Sequence, residues 1–534
     1  MGYMRIDGRF RFHPVGQGLF YSGVLTNDDD DEEPFSFVYD CGTENKQDDF
    51  LSPRIKTYAN RLPQSKTERD KKRLDLLVVS HFHADHVNGI PKLLNLCRAG
   101  AVVLPYMSES YRALAIAEYS LTMKSDADRE DAMSLKDSDV TRFYANPSAW
   151  LAERGVSAVA FVGAGDGTPD DLSKDLTPPD PRLTRPEGPV TLVEDGEGGD
   201  FYLTIPSENV LGVRNVSHPI GGGATRTIKE VYLKDGMSPA ALTKKSGLAF
   251  WEFFFENIKR TPEELRKYRD LVSDFLTAAG DFQGKTRPLT LEELLTEKAT
   301  ITEALLKGKK LIAEDGSLTE EGRKFLTEEK LKALKKTASQ KLNAKLIRLL
   351  SDKINRDCKD ILDGYDLNRT SVVMLHRPSE GRFSHAQYAV CDDCPYPHRY
   401  PHRYPYPYDC YPDHSYCWLK LPQIHSCNKC GALLTGDVVI TEDDDTQLED
   451  ILEKARDCGV LQYPHHGSGE NNDMNRFLGL NSAVTVVPYG VHNTYRHPSN
   501  DVLDEFVKNG RVIRSATQYE AFTYWMYVFL SDKP

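Results

Sequence analysis

The sequence predicts a mixed α/β fold in which short strands and helices alternate. Residues 74–79 are an apolar run rich in leucine and valine that follows a charged stretch, as is typical of a strand buried on both faces. The apolar residues between 90 and 97 then recur with the spacing of one helix face, and residues 102–106 predict the next strand. This order is what a layer of parallel strands covered by helices requires.

The N-terminal segment extends this pattern into the first half of a core, which we place at residues 1–165. The acidic run at 28–33 separates two strands and is interpreted as a solvated hairpin loop. The further strands in this half are predicted at 9–12, 19–25, 35–39 and 157–163.

The pattern changes between residues 166 and 365, which we interpret as an insertion in the core. A connector rich in Pro, Gly and Asp leads to short strands at 201–205 and 250–255. A long helical pattern follows from 261 to 362, interrupted by glycines. We therefore predict an inserted helical subdomain, which is also a candidate surface for a protein partner.

Strand patterns return in the second half of the core, residues 366–534. Between two of these strands lies a Cys-rich segment, 391–430, whose Tyr-Pro-His-Arg near-repeats predict an extended, polyproline-like chain. A helix is predicted at 501–508. The strands in this half are predicted at 371–375, 432–435, 459–464, 483–489, 512–515 and 522–530.

Bulk composition is that of a soluble globular protein, with 40% hydrophobic and 28% charged residues in a chain of 534. No run approaches 18 apolar residues and the N-terminus has no signal-peptide pattern, so we expect a cytoplasmic protein without membrane association. The net charge of -13 argues against a generally basic nucleic-acid wrapper. Any contact with nucleic acid is expected to be local.

The strongest chemical signal is an HxHxDH segment directly after the strand at 74–79. It places His81, His83, Asp85 and His86 within six residues. Imidazole and carboxylate groups are good ligands for zinc, manganese or iron. A tight loop can direct the first two histidines at one metal and the last two residues at a second. The alternative, a His-rich surface turn, leaves this density of ligands unexplained.

Weaker signals occur elsewhere in the chain. Asp437 follows a strand and a glycine turn, from which its carboxylate could bridge two metals. His465 and His466 end another strand beside a glycine, where a loop histidine and a ligand are equally good interpretations. Asp40 ends the strand at 35–39 and could hold the second nitrogen of a ligand histidine; the alternative is a plain turn aspartate.

Two CxxC pairs lie in the Cys-rich segment, with a spacing that lets each pair bind one side of a tetrahedral zinc. One interpretation is a structural zinc that stabilises a segment poor in apolar residues. The other is a set of loop thiols without a metal. Cys410 and Cys417 could also replace one of the pairs, so the ligand set stays open. The paired residues are Cys391, Cys394, Cys427 and Cys430.

Taken in order, these motifs resemble the metallo-β-lactamase superfamily, and within it the branch that includes the soluble domain of ComEC-type DNA-uptake proteins. The resemblance covers roughly residues 8–165 and 365–530 and implies a four-layer αββα sandwich with two divalent metal ions, zinc or manganese, in the active site. Besides the HxHxDH segment, the matching motifs lie at 15–18, 39–42, 368–371, 434–437, 464–468 and 493–498.

The resemblance also implies roles for individual residues. Asp85 would additionally orient the hydroxide nucleophile, and His497 would contact a substrate phosphate or protonate the leaving group. A turn residue before a proline is the alternative for His497. The implied metal ligands are His81, His83, Asp85, His86, Asp437 and His466, which aligns with the family's last histidine ligand better than His465 does.

One departure from the family pattern affects the first metal. Many members have another metal-binding histidine before a late strand, where this chain has Asn368, and His376 and His385 are near but displaced in sequence. The first metal would therefore depend on His81, His83, Asp437 and one of the paired histidines.

Three functions follow, and the first rests on the ComEC-like resemblance: a two-metal phosphodiesterase or nuclease, in nucleic-acid metabolism or antiviral defence. Basic residues at 323–348 and the Tyr/Arg/His tract at 396–408 could contact nucleic acid, although a solvated helix face and a linker are the alternatives. The second is a hydrolase of a small thioester, lactone or cyclic nucleotide. The third is a degenerate binding or regulatory module, against which the intact HxHxDH segment and Asp437 argue.

Overall fold

Two large β-sheets carry most of the chain that the computed structural model describes, namely residues 3–27, 33–107, 112, 115–116, 139–163, 183–193, 201–221, 223–244, 247–258, 313, 317–323, 371–380, 383–391, 430–439, 448–469 and 474–531. The strands are β1 (Tyr3–Phe12), β2 (Phe20–Asn27), β3 (Phe35–Cys41), β4 (Lys72–Val78), β5 (Cys97–Pro105), β6 (Ala158–Val162), β7 (Val190–Val193), β8 (Phe201–Ile205), β9 (Val210–Gly221), β10 (Ala224–Leu233), β11 (Ser238–Lys244), β12 (Ala249–Glu256), β13 (Val373–Pro378), β14 (Phe383–Cys391), β15 (Ala432–Leu434), β16 (Val460–Gln462), β17 (Val484–Pro488), β18 (Ile513–Ala516) and β19 (Phe522–Ser531). The helices are α1 (Gln47–Ala59), α2 (Ala84–Val87), α3 (Ile90–Leu96), α4 (Asp139–Ala145), α5 (Pro147–Glu153), α6 (Glu320–Arg323), α7 (Glu449–Lys454), α8 (Met474–Gly479) and α9 (Asn500–Lys508), with 3₁₀ turns at Ser207–Asn209 and His465–Gly467.

Each sheet has a parallel centre. The first sheet has the order β14-β19-β1-β2-β3-β4-β5-β6-β10-β9, and the second β18-β17-β16-β15-β13-β12-β11-β8-β7. Strands β3 to β6 pair in parallel, as do β15 to β18. Because parallel strands end at the same edge of a sheet, the loops after β3 and β4 meet in one sheet, and those after β15, β16 and β17 meet in the other.

The apolar residues form hydrophobic clusters that follow the sheet faces. One cluster contains residues of both sheets, a second joins the first sheet to α1, α3, α4 and α5, and a third joins the second sheet to α7, α8 and α9. Strand β4 shows how the sequence serves two clusters at once. Leu76 and Val78 belong to the cluster shared by the sheets, whereas Leu77 belongs to the helix-covered one, since successive side chains of a strand point to opposite faces.

The predicted mixed α/β class is confirmed, and β4 lies within two residues of its predicted bounds. Strands β7 to β12, inside the predicted insertion at 166–365, extend both sheets. The predictions for the helical stretch at 261–362 and the Cys-rich segment fall, apart from short pieces, outside the described residues. Within the described part of the chain, no helix is both long and apolar enough to span a bilayer.

Candidate metal centre

The HxHxDH residues lie in the loop after β4 and in the short helix α2 that follows it, at the carboxyl end of the first sheet. This loop leads into α2, which begins at Ala84, so the chain turns directly after His83. His81, Asp85 and His86 are buried, and His83 is half-buried. The turn therefore directs several ligand-type side chains inward from one short segment.

Asp437 and His466 reach the same place from the second sheet. Asp437 follows β15, and His466 lies in the 3₁₀ turn after β16 with a φ of 52°. A non-glycine residue in this left-handed region costs of order 1 kcal/mol and persists where its surroundings hold it. Here the His466 Nδ1 hydrogen is donated to the Pro488 carbonyl at 2.9 Å, which leaves Nε2 facing the carboxylates.

Four residues form a compact buried group at this junction: Asp85, His86, Asp437 and His466 each offer one ligand atom, all within 4.8 Å of one another. The Asp437 carboxylate lies between the two histidines, with Oδ1 at 3.3 Å from His86 Nε2 and Oδ2 at 3.3 Å from His466 Nε2. His466 Nε2 is also 3.1 Å from Asp85 Oδ2. A carboxylate shared in this way suits a bridge between two ligand sets.

Asp40 fixes the orientation of the ligand histidines from β3. One carboxylate oxygen accepts from the Ser80 backbone N–H at 2.7 Å, and the other accepts from Ser80 Oγ at 2.6 Å and from His86 Nδ1 at 2.7 Å. Because Ser80 Oγ donates to Asp40, its lone pair is available to the Nδ1 hydrogen of His81 at 2.9 Å. In its neutral form each histidine therefore carries its hydrogen on Nδ1 and presents Nε2 as the acceptor.

Close backbone packing positions these loops. A Cβ at Gly42 would lie 2.4 Å from the Asp85 carbonyl oxygen, and one at Gly436 would lie 2.7 Å from Ser80 Cβ. Gly436 also has a φ of 56°, which favours glycine. The two glycines let the loops of both sheets approach closely enough to share a site.

Unsatisfied atoms mark the centre as suited to a cation. Within the described residues, His81 Nε2, His86 Nε2 and Asp437 Oδ1 are buried without a hydrogen-bond partner. Each such atom costs about 1–3 kcal/mol when left unpaired. Two imidazole nitrogens and one carboxylate oxygen that are unpaired in this way fit a divalent metal with nitrogen and oxygen ligands.

The electrostatics agree with this fit. Burial lowers the pKa of His81 well below its usual range, which favours the neutral form that binds metals. Burial also opposes protonation of His466, but Asp437 and Asp85 outweigh it and raise the pKa of His466 to about 10. The carboxylates thus attract positive charge, which a cation supplies in place of protons.

His81 and His83 lie beside the four-residue group. The ring of His81 is 4.8 Å from that of His83 and 4.1 Å from that of His86. Asn368 falls outside the described residues, but nearby Ser371 is buried, and its neighbour Val372 donates its N–H to the Ser80 carbonyl at 2.8 Å. The Oγ of Ser371 has no hydrogen-bond partner among the described residues.

The two displaced histidines lie elsewhere. His376 is in β13, where its ring stacks on Phe10 at 4.9 Å and its Nε2 is 2.8 Å from the hydroxyl of Tyr21, in the cluster between the sheets. His385 is in β14, an edge strand paired with β19. Neither belongs to the candidate group of Asp85, His86, Asp437 and His466 found in the described residues.

The loop after β17 forms the mouth of the centre. The ring of His497 is 5.6 Å from that of His465 and 5.9 Å from that of Tyr495, nearly parallel to the latter at 15°. The Tyr495 hydroxyl donates to Glu44 Oε1 at 3.1 Å. Burial, followed by the charges of His465 and His466, lowers the pKa of His497 to about 4. The sequence analysis gave His497 a role, included Tyr495 within the motif at 493–498 without a role, and missed Glu44.

The Cys-rich segment begins and ends on different sheets. Cys391 is the last residue of β14 in the first sheet, and the buried Cys430 precedes β15 in the second. Cys394 and Cys427 lie outside the described residues, as does the tract at 396–408. The zinc prediction for these cysteines stays a prediction.

Comparison with known proteins gives a match to one region of the chain. Residues 33–116 match the family model of the metallo-beta-lactamase superfamily. The matched region contains β3, β4, the HxHxDH loop and β5. No curated protein matches the chain.

Proposed function

We propose that the chain is a metal-dependent hydrolase that uses two divalent cations to cleave phosphodiester bonds, with nucleic acid as its substrate. The observation that carries this proposal is the buried group of Asp85, His86, Asp437 and His466 at the carboxyl ends of both parallel centres. The family match at residues 33–116 supports it. The three hydrophobic clusters support the four-layer αββα arrangement in which such a site would lie.

The residues divide naturally between two cations. His81, His83 and Asp437 would hold one, while Asp85, His86, Asp437 and His466 would hold the other. When bound, such a pair polarises phosphoryl oxygens and lowers the pKa of water to about 7. Asp40 and Ser80 hold the Nδ1 hydrogens of His86 and His81, so Nε2 is the nitrogen that each histidine would offer to a cation in exchange for any proton on it.

Cations at the centre would favour an anionic substrate. Asp40, Asp85 and Asp437 are buried together, and bound cations would offset their negative charge where a phosphodiester approaches. Half-buried His497 lies at the mouth, where it can contact a phosphate oxygen. The motifs at 464–468 and 493–498, which resemble those of ComEC-type proteins, favour phosphodiesters over thioesters or lactones.

Cleavage assays combined with metal analysis test this proposal. The substrates are labelled single- and double-stranded DNA, RNA and bis(p-nitrophenyl) phosphate, each with Mn²⁺ or Zn²⁺, and bound metal is counted by mass spectrometry. We expect His83→Ala and Asp437→Ala to lower cleavage by more than about 100-fold, since changes even behind a ligand cost about 10- to 100-fold. The matched control is His218→Ala, in the edge strand β9.

Different failures have different meanings. A wild-type protein that binds two cations and cleaves none of these substrates contradicts the phosphodiester assignment and favours the small-substrate hydrolases. A protein that binds no cation contradicts the metal-dependent function itself.

A further inference from the structure

We propose that Tyr495 and His497 form an aromatic subsite that stacks a planar ring of the substrate, a nucleobase, beside the phosphodiester held at the metal centre. The proposal rests on the phosphodiesterase function proposed above. It adds a second recognition element, which reads the ring attached to the phosphate.

The exposure of Tyr495 is the first observation. Its side chain is 55% exposed although one face lies against the His497 ring and its hydroxyl is bonded to Glu44. With one face near His497 and the hydroxyl engaged, we infer that the exposed area includes the opposite face. A third ring placed there would extend the existing stack. Base–aromatic stacking needs only a free π face and tolerates any base.

The orientation of the Tyr495 ring is set before any ligand binds. Its partner Glu44 is anchored through its own backbone, since the Glu44 N–H donates to the Gln17 carbonyl at 2.7 Å. The loop itself is braced by Asn493, whose side chain accepts from the His497 N–H at 3.0 Å and donates to the His497 carbonyl at 2.6 Å. A ring held in this way loses little conformational freedom on binding, which favours affinity.

The position of the stack relates it to the reacting centre. His497 is next to His465, which directly precedes the candidate ligand His466. On the other side, Glu44 lies two residues after Gly42, which packs against the Asp85 backbone. Partial burial and then the charge of Asp85 raise the pKa of Glu44, in agreement with this position. Tyr495 thus lies near the candidate centre, where the base of a nucleotide whose phosphate is bound there could reach its ring.

Two esters that share a leaving group test the subsite: p-nitrophenyl thymidine 5′-phosphate, which carries a base, and methyl p-nitrophenyl phosphate, which does not. The measurement is the ratio of their kcat/KM values with Mn²⁺. We expect Tyr495→Ala to lower this ratio by about tenfold or more, Tyr495→Trp to keep it, and Tyr495→Phe to lower it less than alanine does. The matched control is Tyr519→Ala, since Tyr519 is 64% exposed and its ring contacts Phe50 instead.

The outcomes separate the subsite from the function on which it rests. If wild type hydrolyses both esters and Tyr495→Ala leaves their ratio within twofold, the subsite is refuted and the phosphodiesterase stands. An equal loss on both esters also refutes base stacking, because the methyl ester has no base. If wild type hydrolyses neither ester, phosphodiesterase action on small esters fails and the subsite fails with it.

Discussion

Asp40→Asn is the sharpest test of how the metal centre is organised. Asparagine has the shape of aspartate and tolerates the φ of 57° found at this position, so the change is chemical rather than steric. The Asp40 carboxylate accepts from three donors: the Ser80 N–H, the Ser80 hydroxyl and His86 Nδ1. An amide has one oxygen and one NH₂ group, so in either orientation a donor faces a donor.

The substitution is expected to weaken metal binding through its effect on His86. With an NH₂ group opposite it, His86 is favoured in the tautomer that carries hydrogen on Nε2, the atom 3.3 Å from Asp437 Oδ1. That hydrogen occupies the direction of the metal. Losing an outer carboxylate of this kind weakens metal binding by about 10- to 100-fold, which corresponds to about 1.4–2.7 kcal/mol.

The assay is a competitive titration of Mn²⁺ or Zn²⁺ against a chromophoric chelator, with urea unfolding of the metal-free protein in parallel. Asp75→Asn is the matched control. Asp75 in β4 is also buried, and its carboxylate also accepts from the N–H and the hydroxyl of one serine, Ser36 in β3. We expect only Asp40→Asn to weaken metal binding. A metal affinity within twofold of wild type in Asp40→Asn would refute this account of the centre.

Three further predictions concern the fold. Burial lowers the pKa of His376 from 6.5 to about 3, so below pH 6.5 the unfolded chain binds a proton that the folded chain refuses. The free energy of unfolding should then fall by about 1.4 kcal/mol for each unit by which the pH drops below 6.5. His376→Gln should reduce this pH dependence, measured by urea unfolding between pH 7 and 5. Burial raises the pKa of Glu256 from 4.5 to about 7, so its ionisation destabilises the fold as pH rises through this window. Glu256→Gln should therefore raise the free energy of unfolding, measured in urea, by about 1–3 kcal/mol at pH 8 and change it little at pH 4.5. Leu77→Ala should lower the free energy of unfolding by about 2–5 kcal/mol, because Leu77 is fully buried against the helices. Val507→Ala, at a side chain that is 66% exposed, should lower it by less than about 0.5 kcal/mol. Thermal or urea unfolding measures both changes.

The part of the fold that the sequence predicted best is the parallel centre of each sheet. Strands such as β4 are buried along almost their whole length, so they appear as largely apolar runs, interrupted in β4 by the buried Asp75. The β9–β10 hairpin was not predicted because its outer half is solvent-exposed and polar, as in the first residues of β10. Without a buried face there is little apolar alternation to detect.

The same contrast holds for the site. His81 to His86 could be found because the ligands are consecutive in the sequence. Glu44 could not be paired with Tyr495, since these residues are 451 positions apart and the bond depends on how the two loops fold. The sequence does show a tyrosine two residues before His497, but only the structure shows that its ring is exposed.

The metal centre depends on contacts that join the two sheets beside it. The Tyr39 hydroxyl, next to Asp40 in β3, donates across to the Val372 carbonyl at 2.7 Å, and the Val372 N–H donates back to the Ser80 carbonyl at 2.8 Å. These bonds set the distance between ligands of the first sheet and Asp437 of the second. Packing contacts thus hold the carboxylates together. A cation bound at this candidate centre would therefore meet a preorganised site, and its binding energy would not be spent on ordering the loops.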